Sequence, residues 1–281
     1  MLFVERTVAP ECLALWDDIA AIGGQLMPIR ETSLLIQGSF DESGKLNDSE
    51  IVAFGGCVGT SAQMSALLPV WSTLLEGAKL AHTSMKEAMH FRGTYEKWKD
   101  RIADRDSLLR ALARLVIDSK LMIVATPMTS SDFKALPPAQ QKKFGGDLQY
   151  CGFEACVSVM LHALPGASLH ILCDLSEEYS EKCVRLFHKL RNKDALAKKS
   201  CYALTFADDE RLPGLQAADM IAYCARAEHL RASKQPEPII DELISILGLS
   251  ADQISASFSY RTDEDGLGHG FLEGDIPKWK D

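Results

Sequence analysis

Alternating apolar and polar positions predict a strand from Ser33 to Asp41. One face of this strand carries Leu34, Ile36, Gly38 and Phe40, and the other carries Leu35, Gln37, Ser39 and Asp41. Asp41 is predicted to end the strand, because Glu42, Ser43 and Gly44 have the composition of a turn. A carboxylate at a strand end is well placed for catalysis or metal binding. On this stretch alone, an aspartate that caps its own turn is the more common arrangement.

The rest of the chain alternates between strand and helix patterns. Further strands are predicted at Ile51 to Gly59, Leu121 to Thr126, Ser168 to Cys173 and Tyr202 to Phe206. A polar connection predicts that the first two strands form an antiparallel hairpin, and amphipathic helices are predicted between the later strands. The third strand is a continuous apolar run that Pro127 ends, which is typical of a central strand. The pattern therefore predicts an α/β protein.

Two more carboxylates are placed unusually within these elements. Glu154 is the only charge in an apolar helix from Tyr150 to Leu164, so it needs a cation, a metal or hydrogen-bond donors. A structural salt bridge to an arginine would satisfy it equally well. Asp174 directly follows a strand, and functional groups collect at the carboxyl ends of strands in sheets with helical crossovers.

A fourth carboxylate lies in a late helix. Asp219 shares a helix face with Leu215, Ala218, Ala222 and Arg226. The small alanines on this face predict a close approach of the helix to the sheet, and Gln216 can hydrogen-bond beside Asp219. The structural alternative is an aspartate that binds Arg226 or loop amides.

Together these segments resemble the domain-of-unknown-function 3800 family. The resemblance rests on Asp41-Glu42-Ser43-Gly44, on Asp174, and on the run from Leu215 to Tyr223, and it spans roughly Leu34 to Arg231. It implies a ribonuclease H-like fold, with a mixed five-stranded sheet flanked by helices and with N- and C-terminal helical appendages. We therefore predict a helical extension at 1–32, a ribonuclease H-like domain at 33–232, and a C-terminal helix and tail at 233–281.

The resemblance also implies an acidic site on Asp41, Asp174 and Asp219. Glu154 matches a less regular helical acid of the family, and His82 matches a histidine that often follows the second helix. Clustered carboxylates repel one another unless they share cations, and oxygen ligands suit Mg²⁺ or Mn²⁺. The three aspartates are thus predicted metal ligands, with Glu154 assisting. His82 is a candidate proton shuttle, although a lone histidine is more often structural.

This chemistry predicts a divalent-metal-dependent nuclease, a hydrolase of phosphodiesters. The alternative is a non-catalytic binding module of the same fold in a mobile-element or host-defence system. The formal net charge of -9 argues against binding through bulk basicity, so a nucleic acid would have to be held by local basic patches. The choice between DNA and RNA and the oligomeric state stay open.

Composition and segment patterns narrow the protein class. The chain has 281 residues and 47% hydrophobic content, as expected for a soluble globular protein with a sizeable core. Its eight cysteines lack metal-ligand spacing, and the N-terminus lacks a secretory signal pattern, so we predict reduced thiols in a cytoplasmic protein. No apolar run is long enough to cross a membrane. Phosphate-binding Gly-Lys-Ser/Thr loops and Gly-x-Ser-x-Gly elbows do not occur.

Overall fold

A computed structural model of the chain describes residues 35–44, 51–143, 146, 148–175 and 180–250, together with the strand pair 259–262 and 268–271. The predicted N-terminal extension at 1–32 and most of the predicted tail lie outside these residues. Within the described part of the chain, no helix is both long enough and apolar enough to cross a membrane.

The centre of the fold is a five-stranded mixed sheet. Its strands are β1 (Leu35–Ser43), β2 (Ile51–Thr60), β3 (Met122–Thr129), β4 (Ser168–Asp174) and β5 (Cys201–Ala207). Their order across the sheet is β3-β2-β1-β4-β5. β2 is antiparallel to both of its neighbours, whereas β4 is parallel to β1 and β5 is parallel to β4. This sheet and its flanking helices confirm the predicted ribonuclease H-like α/β fold.

Ten helices of the described chain surround or extend this sheet. They are α1 (Ser61–Ala78), α2 (Met85–His90), α3 (Ile102–Asp118), α4 (Ser130–Ala135), α5 (Pro138–Lys143), α6 (Leu148–Ala163), α7 (Ser180–Lys193), α8 (Ala195–Ser200), α9 (Pro213–His229) and α10 (Pro238–Leu247). Short 3-10 turns span Gly93–Trp98 and Asp209–Arg211. A separate antiparallel pair joins β6 (Ser259–Thr262) to β7 (Gly268–Phe271).

Local sequence signals set several helix ends. Thr60 caps α1 by accepting a hydrogen bond from the Gln63 amide at 3.2 Å, while Gln63 Oε1 accepts one from the Thr60 amide at 2.9 Å. Asp194 caps α8 in a similar way, by accepting from the Ala197 amide. Gly248 ends α10 at a φ of 67°, in the left-handed region that glycine adopts without strain.

The two faces of the sheet are buried by different helices. Neighbouring residues of β2 point to opposite faces, so they mark the two sides. Phe54 packs with α6 residues such as Phe153, whereas a Cβ on Gly55 would lie 3.0 Å from the Cα of Ala222 in α9. The α9 face is completed by α1, α3 and α10, whose apolar residues form one continuous core with it.

The close approach of α9 depends on small residues in both partners. A Cβ on Gly214, in the first turn of α9, would lie 2.7 Å from Ser39 Oγ of β1. Ala217, Ala218 and Ala222 are all fully buried along the helix. The alanine-rich pattern of this helix therefore has the packing role that the sequence predicted.

Two strand predictions were wrong in detail. β1 continues past Asp41, because Asp41, Glu42 and Ser43 all pair with β2. β3 is an edge strand rather than a central one, and Pro127 lies inside it opposite Ala53. A proline is tolerated there because one side of an edge strand needs no amide donor.

Candidate active site

Strand register brings Asp41 and Asp174 together at one edge of the sheet. The parallel ladder between β1 and β4 ends at Phe40 and Cys173, so Asp41 and Asp174 are the next residues on neighbouring strands. Asp41 follows Ser39 by two residues and therefore faces α9, as does Asp174 two residues after Leu172, which is the partner of Ser39. Asp174 ends its strand as predicted, whereas Asp41 lies two residues before the end of β1, and the strand register explains why the two side chains are neighbours.

Asp219 reaches the same edge from α9. Its Oδ2 accepts a hydrogen bond from the Met85 amide at 2.6 Å, which ties α9 to the first turn of α2. Arg226, which shares the helix face with Asp219, donates from Nε to the Ile51 carbonyl at 3.0 Å. Of the two structural alternatives, the bond from a loop amide to Asp219 is therefore present.

The three aspartates are close enough to perturb one another's ionisation. Burial raises the pKa of Asp41 well above its ordinary value, and the negative charges of Asp219, Glu42 and Asp174 raise it further. Burial also raises the pKa of Asp219 to about 6, with Asp209 and Asp174 contributing, although the Met85 amide opposes the rise. The site therefore concentrates negative charge in a partly dehydrated place.

Asp209 is a fourth carboxylate of this site that the sequence reasoning missed. Burial raises its pKa, and the negative charges of Asp174 and Asp208 add to the rise. Asp174 also has a raised pKa through burial, which hydrogen bonds from the Leu175 and Asp209 amides oppose. Its position in the sequence could have indicated this, because Asp208 and Asp209 directly follow β5, and Asp174 ends the neighbouring parallel strand.

Gln216 holds three segments around the site. Its Oε1 accepts hydrogen bonds from Trp71 Nε1 at 2.8 Å and from the Thr83 amide at 3.3 Å. Its Nε2 donates to the carbonyls of Asp209 at 3.0 Å and Glu210 at 3.2 Å. Gln216 is only 2% exposed. One side chain thus fixes the backbone beside Asp209 and the loop that precedes α2.

His82 lies on that loop, at the rim of the acidic site. Its Nε2 is 3.7 Å from Glu87 Oε2, and Glu87 also accepts a hydrogen bond from the Thr94 amide at 3.1 Å. A protonated His82 opposes the rise in the pKa of Asp209, so the two side chains are within electrostatic range of each other. The structure therefore brings His82 near the carboxylates but gives it a partner of its own in Glu87.

Glu154 lies on the other face of the sheet from the three aspartates. It lies on α6, and the neighbouring Gly152 packs against Phe54, on the face of the sheet opposite α9. Asp41 and Asp219 are on the α9 face. The structure gathers Asp41, Asp174 and Asp219 with Asp209 and places Glu154 on the helix across the sheet.

The residues of the site fit a hard divalent cation by type. Carboxylate oxygens are preferred ligands of Mg²⁺ and Mn²⁺, and a cation would relieve the mutual repulsion that adds to the effect of burial on the pKa of Asp41. As the side chains stand, no three His, Cys, Asp or Glu residues of the described chain are close enough to hold one ion together. Metal binding would therefore require the side chains to turn toward a common centre.

Comparisons with known proteins include a structural likeness to a ribonuclease. No protein-family model matches the chain, and no curated protein matches it. A crystal structure of Bst-RNase HIII in complex with Mn2+ has a TM-score of 0.39 and 12% sequence identity, with 82% of this chain and 68% of that chain covered. The chain has a ribonuclease H-like fold, as its strand order shows, and the resemblance to the domain-of-unknown-function 3800 family stays a prediction.

Proposed function

We propose that this protein is a divalent-metal-dependent phosphodiesterase acting on nucleic acid, and that it is related to the domain-of-unknown-function 3800 family. The observation that supports this most is the convergence of Asp41, Asp174, Asp209 and Asp219, which come from four separate segments to one edge of the sheet. Burying like charges together is costly. A bound cation is the simplest reason for a fold to do so.

Asp41, Asp174 and Asp219 would hold the metal, with Asp209 beside them. When bound, Mg²⁺ or Mn²⁺ would activate water and stabilise the leaving oxygen of a phosphodiester. The protein's own contribution is to orient the carboxylates that would bind the metal. The Glu42 amide donates to Asp41 Oδ1 at 2.7 Å, and the Met85 amide donates to Asp219 Oδ2. One oxygen of Asp41 and one oxygen of Asp219 are therefore already fixed by backbone hydrogen bonds.

His82 and Glu154 have different roles in the proposed reaction. His82 would move a proton at the rim of the site, where it lies 3.7 Å from Glu87 and within electrostatic range of Asp209. Glu154 would act only at the margin of the site, because α6 lies across the sheet from α9. We therefore expect substitution of His82 to lower the rate of hydrolysis more than substitution of Glu154.

A metal titration combined with a hydrolysis assay tests the proposal. Calorimetry with Mn²⁺ should show binding to the full-length protein, and labelled DNA or RNA oligonucleotides should be cleaved only with Mn²⁺ or Mg²⁺. Asp174→Asn should lose cleavage while keeping the circular dichroism spectrum of the wild type. Asp118→Asn, an exposed position in the last turn of α3, serves as the control and should keep full activity.

The second candidate is a nucleic-acid-binding module of the same fold without catalysis. The observation in its favour is that no three potential ligands of the described chain stand close enough to share an ion. Such a module has no need for Mg²⁺ or Mn²⁺ at the carboxylates. Oligonucleotide binding without any heat of Mn²⁺ binding would support the module and contradict the enzyme.

A further inference from the structure

A groove beside the acidic site is lined by cationic side chains. It has a volume of about 110 Å³ and lies where α2, α9 and α10 meet. Its basic side chains are His90, Arg226 and Lys234, and its remaining walls include Tyr223 and Glu237. A single water needs only about 10–15 Å³ of such space, so the groove has room for a larger polar group.

The groove continues directly from the carboxylates. Tyr223 and Arg226 follow Asp219 by four and seven residues on one face of α9. His90 ends α2, the short helix whose Met85 amide binds Asp219. A ligand that reaches Asp219 along this helix face therefore meets the cationic groove next.

Arg226 is anchored at the mouth of the groove. Its Nε donates to the Ile51 carbonyl at the start of β2. It also lies against the turn after β1, since a Cβ on Gly44 would be 2.7 Å from this Nε. Gly44 has a φ of 95°, which a larger residue would adopt only with strain. The guanidinium thus stands at the turn that begins three residues after Asp41.

The acid among the lining residues of the groove, Glu237, has a cationic neighbour that it shares with Asp106. Glu237 Oε2 lies 3.7 Å from Nη2 of Arg105, a buried arginine outside the groove. Lys234 is exposed and has no ion-pair partner among the described residues. In a chain with a formal net charge of -9, this is a local positive site next to a strongly negative one.

We propose that this groove binds a backbone phosphate of a nucleic-acid strand, next to the phosphodiester that lies at the acidic site. The proposal rests on the proposed function for its substrate class. Lys and Arg contacts to phosphates supply most of the affinity for a nucleic acid and fix its register. Repulsion of the strand by the carboxylates would be offset by contacts one to two turns along the same helix face, and the acidic protein needs such a local basic patch to hold a polyanion.

The test measures binding separately from hydrolysis. A short fluorescein-labelled oligonucleotide is titrated with full-length protein in EDTA, and fluorescence anisotropy is followed over a range of salt concentrations. Lys234→Gln is the variant of choice because Lys234 is exposed and its loss should not affect folding. Lys198→Gln, which makes the same charge change on the exposed surface of α8, is the matched control.

We expect Lys234→Gln to weaken binding about fivefold and to reduce the slope of log affinity against log salt by about one. Lys198→Gln should leave both quantities unchanged. Equal effects of the two substitutions would show a general charge effect and overturn the proposal, as would no effect of either. Competition by inorganic phosphate or by polyglutamate as effective as that by an unlabelled oligonucleotide would also overturn it, because the groove would then not be specific for a strand.

The two proposals fail in different ways. If Lys234-dependent binding is observed but Mn²⁺ neither binds nor supports cleavage, the proposed enzymatic activity is wrong and the proposed phosphate-binding groove is supported. If Mn²⁺-dependent cleavage depends on Asp174 but binding does not depend on Lys234, the enzyme stands and the groove proposal is wrong.

Discussion

Replacing Asp219 by asparagine separates a metal ligand from a structural aspartate. Burial raises the pKa of Asp219 to about 6 in the folded protein, against an ordinary value of 3.8. The folded state therefore holds the proton more tightly than the unfolded state between these two values. The favourable contribution of the protonated carboxyl is complete below about pH 4 and is lost as the pH rises through about 6.

The size of this effect follows from the shift in pKa. About two pKa units at 1.36 kcal/mol each set an upper value near 3 kcal/mol, and the partial exposure of Asp219 reduces it to about 1–2 kcal/mol. Asparagine has a similar shape and its carbonyl oxygen can still accept from the Met85 amide. Without metal at pH 8, Asp219→Asn should therefore unfold at a higher urea concentration than the wild type. At pH 4 this advantage should disappear.

Metal should reverse the order of the two proteins. Mn²⁺ at about one hundred times its dissociation constant would stabilise the wild type by about 2.7 kcal/mol, or raise its melting temperature by about 5–10 °C. Asp219→Asn should lose this gain. Asp118→Asn, an exposed position, should behave like the wild type at both pH values and with Mn²⁺.

The opposite pattern would refute the reasoning. If Asp219 only anchors the Met85 amide, Asp219→Asn should destabilise the metal-free protein at pH 8 and leave any response to Mn²⁺ unchanged. Urea unfolding at the two pH values and thermal melts with and without Mn²⁺ distinguish these outcomes with three proteins.

Three further substitutions test the framework of the site. Gln216→Leu should cost about 2–4 kcal/mol in urea unfolding, because it leaves two buried donors and two partly buried carbonyls without their partner. A loss below about 1 kcal/mol would contradict its bridging role. Gly55→Ala should cost about 1–3 kcal/mol against the α9 backbone, whereas Gly77→Ala, in open space, should be neutral or stabilising. Asp209→Asn should lower the pKa of Asp219 in a carbon-13 NMR titration, and an unchanged pKa would place Asp209 outside the site.

The sheet and the core helices were predictable because their signals are local. Alternation along β1, the hairpin with β2 and the alanine-rich face of α9 each appear within about ten residues of sequence. Pro127 misled the prediction for β3, because an edge position tolerates a proline that a central one does not. That distinction depends on the order of strands in space, which a single strand's pattern does not contain.

The site was only partly predictable for a similar reason. Asp41, Asp174 and Asp219 stand out locally, at strand ends or on an apolar helix face. Asp209 lies in an acidic run with Asp208 and Glu210, and such a run usually marks a solvated turn. Its place in the site comes from the parallel pairing of β4 with β5 and from the side chain of Gln216, which holds the Asp209 carbonyl.

The helix that packs closely against the sheet also carries Asp219, a carboxylate whose pKa burial raises. α9 packs so closely that a Cβ on Gly55 of β2 would lie only 3.0 Å from the Ala222 backbone, and this packing holds Asp219 within electrostatic range of three other carboxylates. A mobile loop would let these charges separate, and the repulsion that favours a bound cation would weaken. If the proposed metal site is correct, rigid packing of α9 keeps its carboxylates close together in the metal-free protein. It follows that loosening α9 by Gly55→Ala should weaken Mn²⁺ binding even though Gly55 touches no ligand, and unchanged Mn²⁺ affinity in that variant would show that packing and site are independent.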